Sequence, residues 1–483
     1  MFIAANATPA TPNAAIQAMG PAWAMITALL GGTTSMREAG KLYLPKHPAE
    51  SGEAYKYRVD VSTLFNGFRR TIDTLSGKPF SEPLKLGDDV PPVIETYSED
   101  IDLEGRNLQA FAHDVMRTVL SYGLSHILVD YPTTPGAQSL AAQHVSGARP
   151  YFVHIYPWNV LDWRSERING VETLTQLRFF EYVEEPDGDW AKKEIRQVRV
   201  LEPDNYRIYR EDEKGDWVLY DEGLVSIGII PLATAYGERT GFMTARPPLQ
   251  DLAHLNVEHW QSSSDQSNIL HVARVPILFA SGFTEDSTIK IGAGIAVTND
   301  DPAAKLAYVD SSMAAPAIEA GRLSIKDLED RMSIMGAEPL AKKPGKRTAT
   351  ETIIDTSASD SALSLMALNL EDTLELALQF VAVWDGLPDG GTLELFKDFS
   401  GDDDQAAAEK APNAKEMGII SAQTAFGILQ RAGVVPEELD WTEELERMKA
   451  EGPTTGIIGS FEAAPGVGEA QQVVAPAGAP ESA

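Results

Sequence analysis

The chain carries 40 Lys and Arg against 71 Asp and Glu over 483 residues, a formal net charge of -31, and has no cysteine. Its length exceeds what one hydrophobic core organises and implies two to four structural regions, for which a 43% hydrophobic content is ample. Such acidity excludes a protein that coats nucleic acid through a broad basic surface, and the missing thiols exclude disulfides, cysteine nucleophiles, zinc-thiolate sites and iron-sulfur clusters.

Residues 1–20 are rich in Ala, Asn, Thr and Pro, and no basic residue precedes Arg37, so the charged start of a secretory signal is missing and a loose arm is expected. Trp23–Leu30 opens a helical region. Leu64, Phe65, Phe68, Ile72 and Leu75 at helical spacing predict one helix over Val61–Leu75, ended by Pro79 and Pro83. A second stripe, Phe111, Val115, Val119 and Leu120, predicts a helix from Asn107 to Tyr122 that stops at Gly123. Ser125–Asp130 then reads as a short buried strand. From Tyr151 to Tyr236 the period changes to two, and Asn169-Gly170 and Asp187-Gly188 supply the positive φ angles of tight hairpins. An antiparallel sheet is expected there.

Pro247 and Pro248 suit the first turn of a helix that continues through Leu249, Leu252, Leu255, Trp260, Ile269 and Leu270. Its middle, Gln261–Asn268, is polar all round, so it is expected to bond to neighbouring copies or to line water. Ile277–Tyr308 reads as short strands. A returning helix is expected over residues 317–335, with Ile325, Leu328, Met332 and Met335 on one stripe and Gly336 as its stop. Lys342-Lys-Pro-Gly-Lys-Arg347 follows, four cations in six positions on a Pro-Gly loop. From Thr350 to Trp384 runs the longest helical pattern. One stripe holds Leu363, Met366, Leu370, Leu374, Ala377, Val381 and Trp384; Leu365, Leu368, Leu376, Phe380 and Val383 form a second, which implies burial on two sides. Thr392–Phe399 reads as a strand, Asp402–Asp404 as a solvated turn and residues 411–450 as a small helical region. Pro, Gly and Ala fill 17 of the last 33 residues, and that tail is expected to be disordered. The apolar runs fall short of the roughly 20 residues that span a bilayer, so a soluble protein is expected.

Few patterns carry chemistry. Gly345-Lys346-Arg347-Thr348 invites comparison with a phosphate-binding loop, but Arg347 intrudes and the nearest earlier glycine, Gly336, is too far away. His254 and His259, five apart, do not share the helix face that a four-residue zinc spacing gives. Neither a nucleophile elbow nor a dinucleotide fingerprint is present. Glu99–Asp102 and Asp402–Asp404 read as solvated charge runs, and Tyr43, Tyr55, Tyr57, Trp158 and Trp163 as core or subunit-contact aromatics. No enzyme, cofactor or metal is expected.

The order of elements is more specific: a helix from Pro247, a strand-rich insertion, a returning helix, an exposed loop and a very long helix. Met36-Arg-Glu-Ala-Gly-Lys-Leu-Tyr-Leu-Pro-Lys46 is followed by Tyr55, Arg58 and Phe65, then by Leu75-Ser-Gly-Lys-Pro79, Tyr156-Pro-Trp-Asn-Val-Leu-Asp-Trp163 and Thr348-Ala-Thr-Glu351. Together these resemble the portal proteins of tailed double-stranded DNA bacteriophages over residues 22–445. The resemblance implies an α+β multidomain portal fold: a flexible arm (1–20), a wing (21–245, with its sheet at 150–236) and a stem helix (246–272). It continues with a clip (273–316), a second stem helix (317–336), a channel loop (337–349), a long wing helix and strand (350–404), a crown (405–450) and a disordered tail (451–483).

It also implies a ring of about twelve copies at one capsid vertex of the virion, assembled in the host cytoplasm, that conducts double-stranded DNA during packaging and ejection. Its partners would be the major capsid protein, terminase and a head-to-tail adaptor. An acidic conduit repels the duplex and keeps it centred, since each neutralised phosphate adds affinity that every step must break. Lys342, Lys343, Lys346 and Arg347 are then the expected DNA contact; the alternative is that their loop packs on a neighbour's acidic helix. Two rival readings remain. One is another ring-forming head-tail connector, usually shorter and without a helix pair bracketing strands; the other is a nuclease or ATPase, which needs a metal or phosphate site.

Overall fold

The chain is a mixed helix-and-sheet protein in two compact units, Met1–Phe399 and Ser400–Ala483. The computed structural model describes residues 7–132, 148–274, 278–283, 301–308, 315–337, 361–397 and Phe399 of the first unit. In the second it describes Ala408 and residues 410–415, 420–431, 433–436 and 439–451.

The first unit opens with six helices: α1 (Ala14–Leu30), α2 (Gly32–Ala39), α3 (Gly52–Val61), α4 (Gly67–Gly77), α5 (Pro92–Ser98) and α6 (Leu108–Tyr122). The arm expected over residues 1–20 is shorter, because helix begins at Ala14, where the Asn13 carboxamide caps Ile16 N at 2.9 Å. The stretch before it is tied down: Asn13 donates to Asp162 (3.0 Å), and Arg178 donates to the Pro9 carbonyl (2.7 Å) and to Asp162 (2.6 Å). The single helix expected over Val61–Leu75 is broken. Ser62 is extended, with ψ 136°, and Asn66 starts α4 afresh by accepting from Arg69 N (3.0 Å) while donating to the Leu29 carbonyl (2.7 Å).

The strands are β1 (Lys85–Leu86), β2 (Leu124–Asp130), β3 (Tyr151–Ile155), β4 (Val160–Ile168), β5 (Val171–Asp187), β6 (Ala191–Glu202), β7 (Asn205–Glu211), β8 (Trp217–Leu224), β9 (Leu232–Tyr236), β10 (Glu238–Gly241) and β11 (Thr244–Arg246). The one sheet expected over residues 150–236 is two. β4 to β8 form a five-stranded antiparallel meander, whereas β3 and β9 flank β2 in a separate sheet of order β3-β2-β9. β2 is buried along its length up to Asp130, and a strand buried on both faces belongs at a sheet centre. A half-buried ion cluster joins the two sheets: Arg199 of β6 grips both carboxylate oxygens of Asp130 (2.6 and 3.0 Å) and reaches Glu181 (3.3 Å).

α6 packs on the β3-β2-β9 sheet, where Phe111 meets Phe152 edge-on at 5.5 Å. So does a long helix, α9 (Ala362–Asp385), whose Trp384 indole donates to the Val129 carbonyl (3.2 Å). The first of its two stripes forms core: Leu363, Leu370, Leu374, Ala377 and Val381 are buried. The helix starts at Ala362 rather than Thr350, because Ser361 is extended (ψ 153°) and caps Ser364 N (3.1 Å); residues 350–360 lie outside the described residues. Of the strand expected over Thr392–Phe399, only β14 (Leu393–Glu394) forms, paired with β1. In the second unit α10 (Ala422–Arg431) and α11 (Trp441–Glu451) meet through Phe426 and Trp441, 5.3 Å apart.

Two histidines sit within the central sheet. His126 meets Thr234 Oγ1 at 3.0 Å, and burial holds its imidazole down to about 3; His154, beside Ser125 Oγ at 2.7 Å, is held down to about 4 by burial and then by the Arg106 charge. Both therefore stay neutral in the fold at physiological pH.

Candidate functional site

Two long helices leave this core: α7 (Gln250–Arg274) and α8 (Ala315–Ala337). They run antiparallel. Gln266 donates to the Ile318 carbonyl (2.8 Å), His259 meets Glu329 (3.3 Å), and Arg331 lies 3.8 Å from Glu258. At Gly321 a Cβ would displace the end of the Gln266 side chain from its bond to Ile318. Gly336, expected to stop α8, lies inside it instead, at a close approach where a Cβ would meet Thr71 Oγ1 at 3.0 Å. Between the two helices in the chain, β12 (Leu278–Ser281) and β13 (Lys305–Tyr308) pair antiparallel.

Part of the polar run of α7, and Asn256 before it, is bonded within the chain. Asn256, fully buried, accepts from Phe68 N (2.8 Å) and donates to the Phe65 carbonyl (2.9 Å), bridging the broken turn before α4. Gln261 donates to the Tyr43 carbonyl (2.9 Å), and Ser264 Oγ lies 2.8 Å from Ser62 Oγ. Arg58 sits at the centre, 3% exposed. It holds Glu50 through two bonds (2.9 and 3.0 Å), donates to the Pro45 carbonyl (2.8 Å) and reaches Asp265 of α7 (3.4 Å). The hydrogen bond from Arg58 keeps the Glu50 carboxyl below its ordinary range. Tyr55 completes the clamp by donating to the Leu44 carbonyl (3.0 Å). The motif Met36–Lys46 with Tyr55 and Arg58 is thus an anchor that fixes the register of α7 on α3 and α4. Its signal in the sequence was present, but partners about two hundred residues apart were not legible.

Along the helix pair seven Asp and Glu stand against four Lys and Arg. Lys342, Lys343, Lys346 and Arg347 lie outside the described residues, in the connection between α8 and α9; of their surroundings the chain gives Ala337 before and Ser361 after. Among the described residues, no three His, Asp or Glu side chains are grouped to hold a metal ion, and no helix is long and apolar enough to cross a membrane.

Residues 248–385, which span α7, α8 and α9, match the model of a family described as a domain of unknown function (DUF4055). No curated protein matches the chain. Its structural neighbours are chains of gene transfer agent particles and their necks. One, from "Virion of native gene transfer agent (GTA) particle", is 11% identical, with a TM-score of 0.37 over 72% of this chain and 84% of that one. A chain of "Neck of empty GTA particle computed with C6 symmetry" is 12% identical, with a TM-score of 0.38 over 78% and 88%. A third, from "Neck of native GTA particle computed with C12 symmetry", is 10% identical, with a TM-score of 0.35 over 74% and 88%.

Proposed function

We propose that this chain is a portal protein: about twelve copies form a ring at one capsid vertex and conduct double-stranded DNA, without bond chemistry of their own. The observation that carries the reading is the α7 and α8 pair, an antiparallel helical stem with the β12 and β13 strand pair inserted between its helices, joined to a helical and β-sheet body by the Arg58 clamp. A stem loaded along its axis needs a fixed register, and directional buried bonds supply one where a uniform apolar seam would slide. The acidic stem surface repels phosphates. The cations Lys342, Lys343, Lys346 and Arg347 then form a narrow positive belt, which grips the backbone transiently and without sequence preference.

Electron microscopy of the purified chain tests the ring: particles with a central channel and about twelvefold symmetry are expected, and particles that stay monomeric also with packaging partners present overturn it. Replacing the four cations by Ser is expected to leave rings intact while DNA packaging or retention drops. Normally filled particles from that variant would remove the basic segment from the mechanism.

A further inference from the structure

Of the second stripe of α9, Phe380 packs against the core while the other four residues have no cover among the described residues. Leu365, Leu368, Leu376 and Val383 are between 39% and 45% exposed, and with Asp372 they follow one helix face for about 27 Å. Apolar residues scattered singly on a surface need no explanation, but an aligned row along one helix face marks a contact surface.

A second surface of the same unit complements it. Tyr57, Val61 and Phe65 are between 48% and 51% exposed. Tyr57 rests on His271 and Phe65 on His259 of α7, ring centroids 5.8 and 5.1 Å apart, so the band follows α7 for about 18 Å. It opens at one end into a groove of about 480 Å³ lined by Phe65, Arg70, Thr71, Leu252 and Met332. The stretches that carry the two surfaces differ in charge: residues 36–85 hold nine Lys and Arg, buried Arg58 among them, against six Asp and Glu, with Glu53 and Asp60 exposed on the helix of the band, and residues 361–397 hold one Lys against six Asp and Glu. Arg70, which shares the groove with Phe65 at the end of the band, and Asp372 within the stripe have no ion-pair partner among the described residues.

We infer that the α9 stripe of one copy docks on the Tyr57, Val61 and Phe65 band of the next, with Asp372 set against Arg70. The two surfaces differ, so the contact is head-to-tail, and such contacts close into rings when the rotation permits. The inference rests on the ring reading and adds to it which faces meet.

The absence of cysteine makes the test direct. The double variant Phe65→Cys with Leu376→Cys, and a second with Val61→Cys in place of Phe65→Cys, alter exposed positions only. On mild oxidation each is expected to give a covalent ladder of three or more chains in a denaturing gel without reductant, while each single variant gives none. Arg70→Glu is expected to reduce the ladder about fivefold, as suits an exposed ion pair, and Asp372→Arg in the same chain to restore it. Rings visible by microscopy with no ladder from either pair would overturn this interface and leave the ring reading standing. Dimers from Leu376→Cys alone would show two stripes face to face and overturn it as well. Chains that neither crosslink nor form rings would fail both.

Discussion

Arg58 shows how much one side chain decides. It is a cation at 3% exposure whose partners come from residues 45, 50 and 265, so it ties the loop after α2 to α3 and α7 at once. Removing one member of a buried pair leaves the other charged and unpaired, so Arg58→Ala is expected to lower stability by about 3 to 5 kcal/mol in urea titrations. Arg58→Lys should recover only part, because an ammonium does not match the forked bond to Glu50. Asn256→Ala removes the partners of Phe68 N and the Phe65 carbonyl and is expected to cost about 2 kcal/mol by the same measurement. In the sequence Arg58 and the polar run of α7 stand out separately. That they answer each other was hidden, because hydrogen-bond partners this distant leave no period in the chain.

At the scale of elements, legibility follows locality. α6 was readable end to end: Asn107 caps it, an apolar stripe runs through it, and Gly123 closes it in the left-handed region at φ 92°. A Cβ at Gly123 would also stand 2.5 Å from the Arg246 carbonyl, so Gly123→Ala should cost about 2 kcal/mol or more, seen as a lowered thermal midpoint. The start of α9 is not legible from spacing, because an apolar stripe fixes a face and not a boundary. Ser361 decides the boundary through a cap, and Ser361→Ala is expected to cost about 1 kcal/mol while leaving the fold intact. The break between α3 and α4 has the same cause: Ser62 and Asn66 offer the backbone side-chain partners that outcompete a continuous helix.

For the whole molecule, acid is the informative stress. His126 and His154 are neutral in the fold, at about 3 and about 4, whereas an unfolded imidazole titrates near 6.5. Between those limits the unfolded chain binds more protons, so stability falls as pH drops below about 6.5 and keeps falling to about 4 and then 3. Each imidazole is expected to contribute roughly 2 kcal/mol of that loss by pH 5. The thermal midpoint should therefore drop between pH 7 and pH 5, and His126→Gln, which keeps a polar partner for Thr234, should flatten the slope. An unchanged slope in that variant would place the acid sensitivity elsewhere.

The sequence by itself determined the composition of this protein's surfaces and most of its elements. Net charge, the lack of thiols, the caps and glycines of α6 and the apolar stripes of α8 and α9 are properties of short stretches or of the chain as a sum. Tertiary structure alone decided the partners. It placed β2 between β3 and β9, split the expected sheet in two, tied α7 to residues 43 to 68, and among the described residues left most of one stripe of α9 uncovered while burying the other. The reason is physical: periodicity reports which face of an element seeks cover, and only packing decides what covers it.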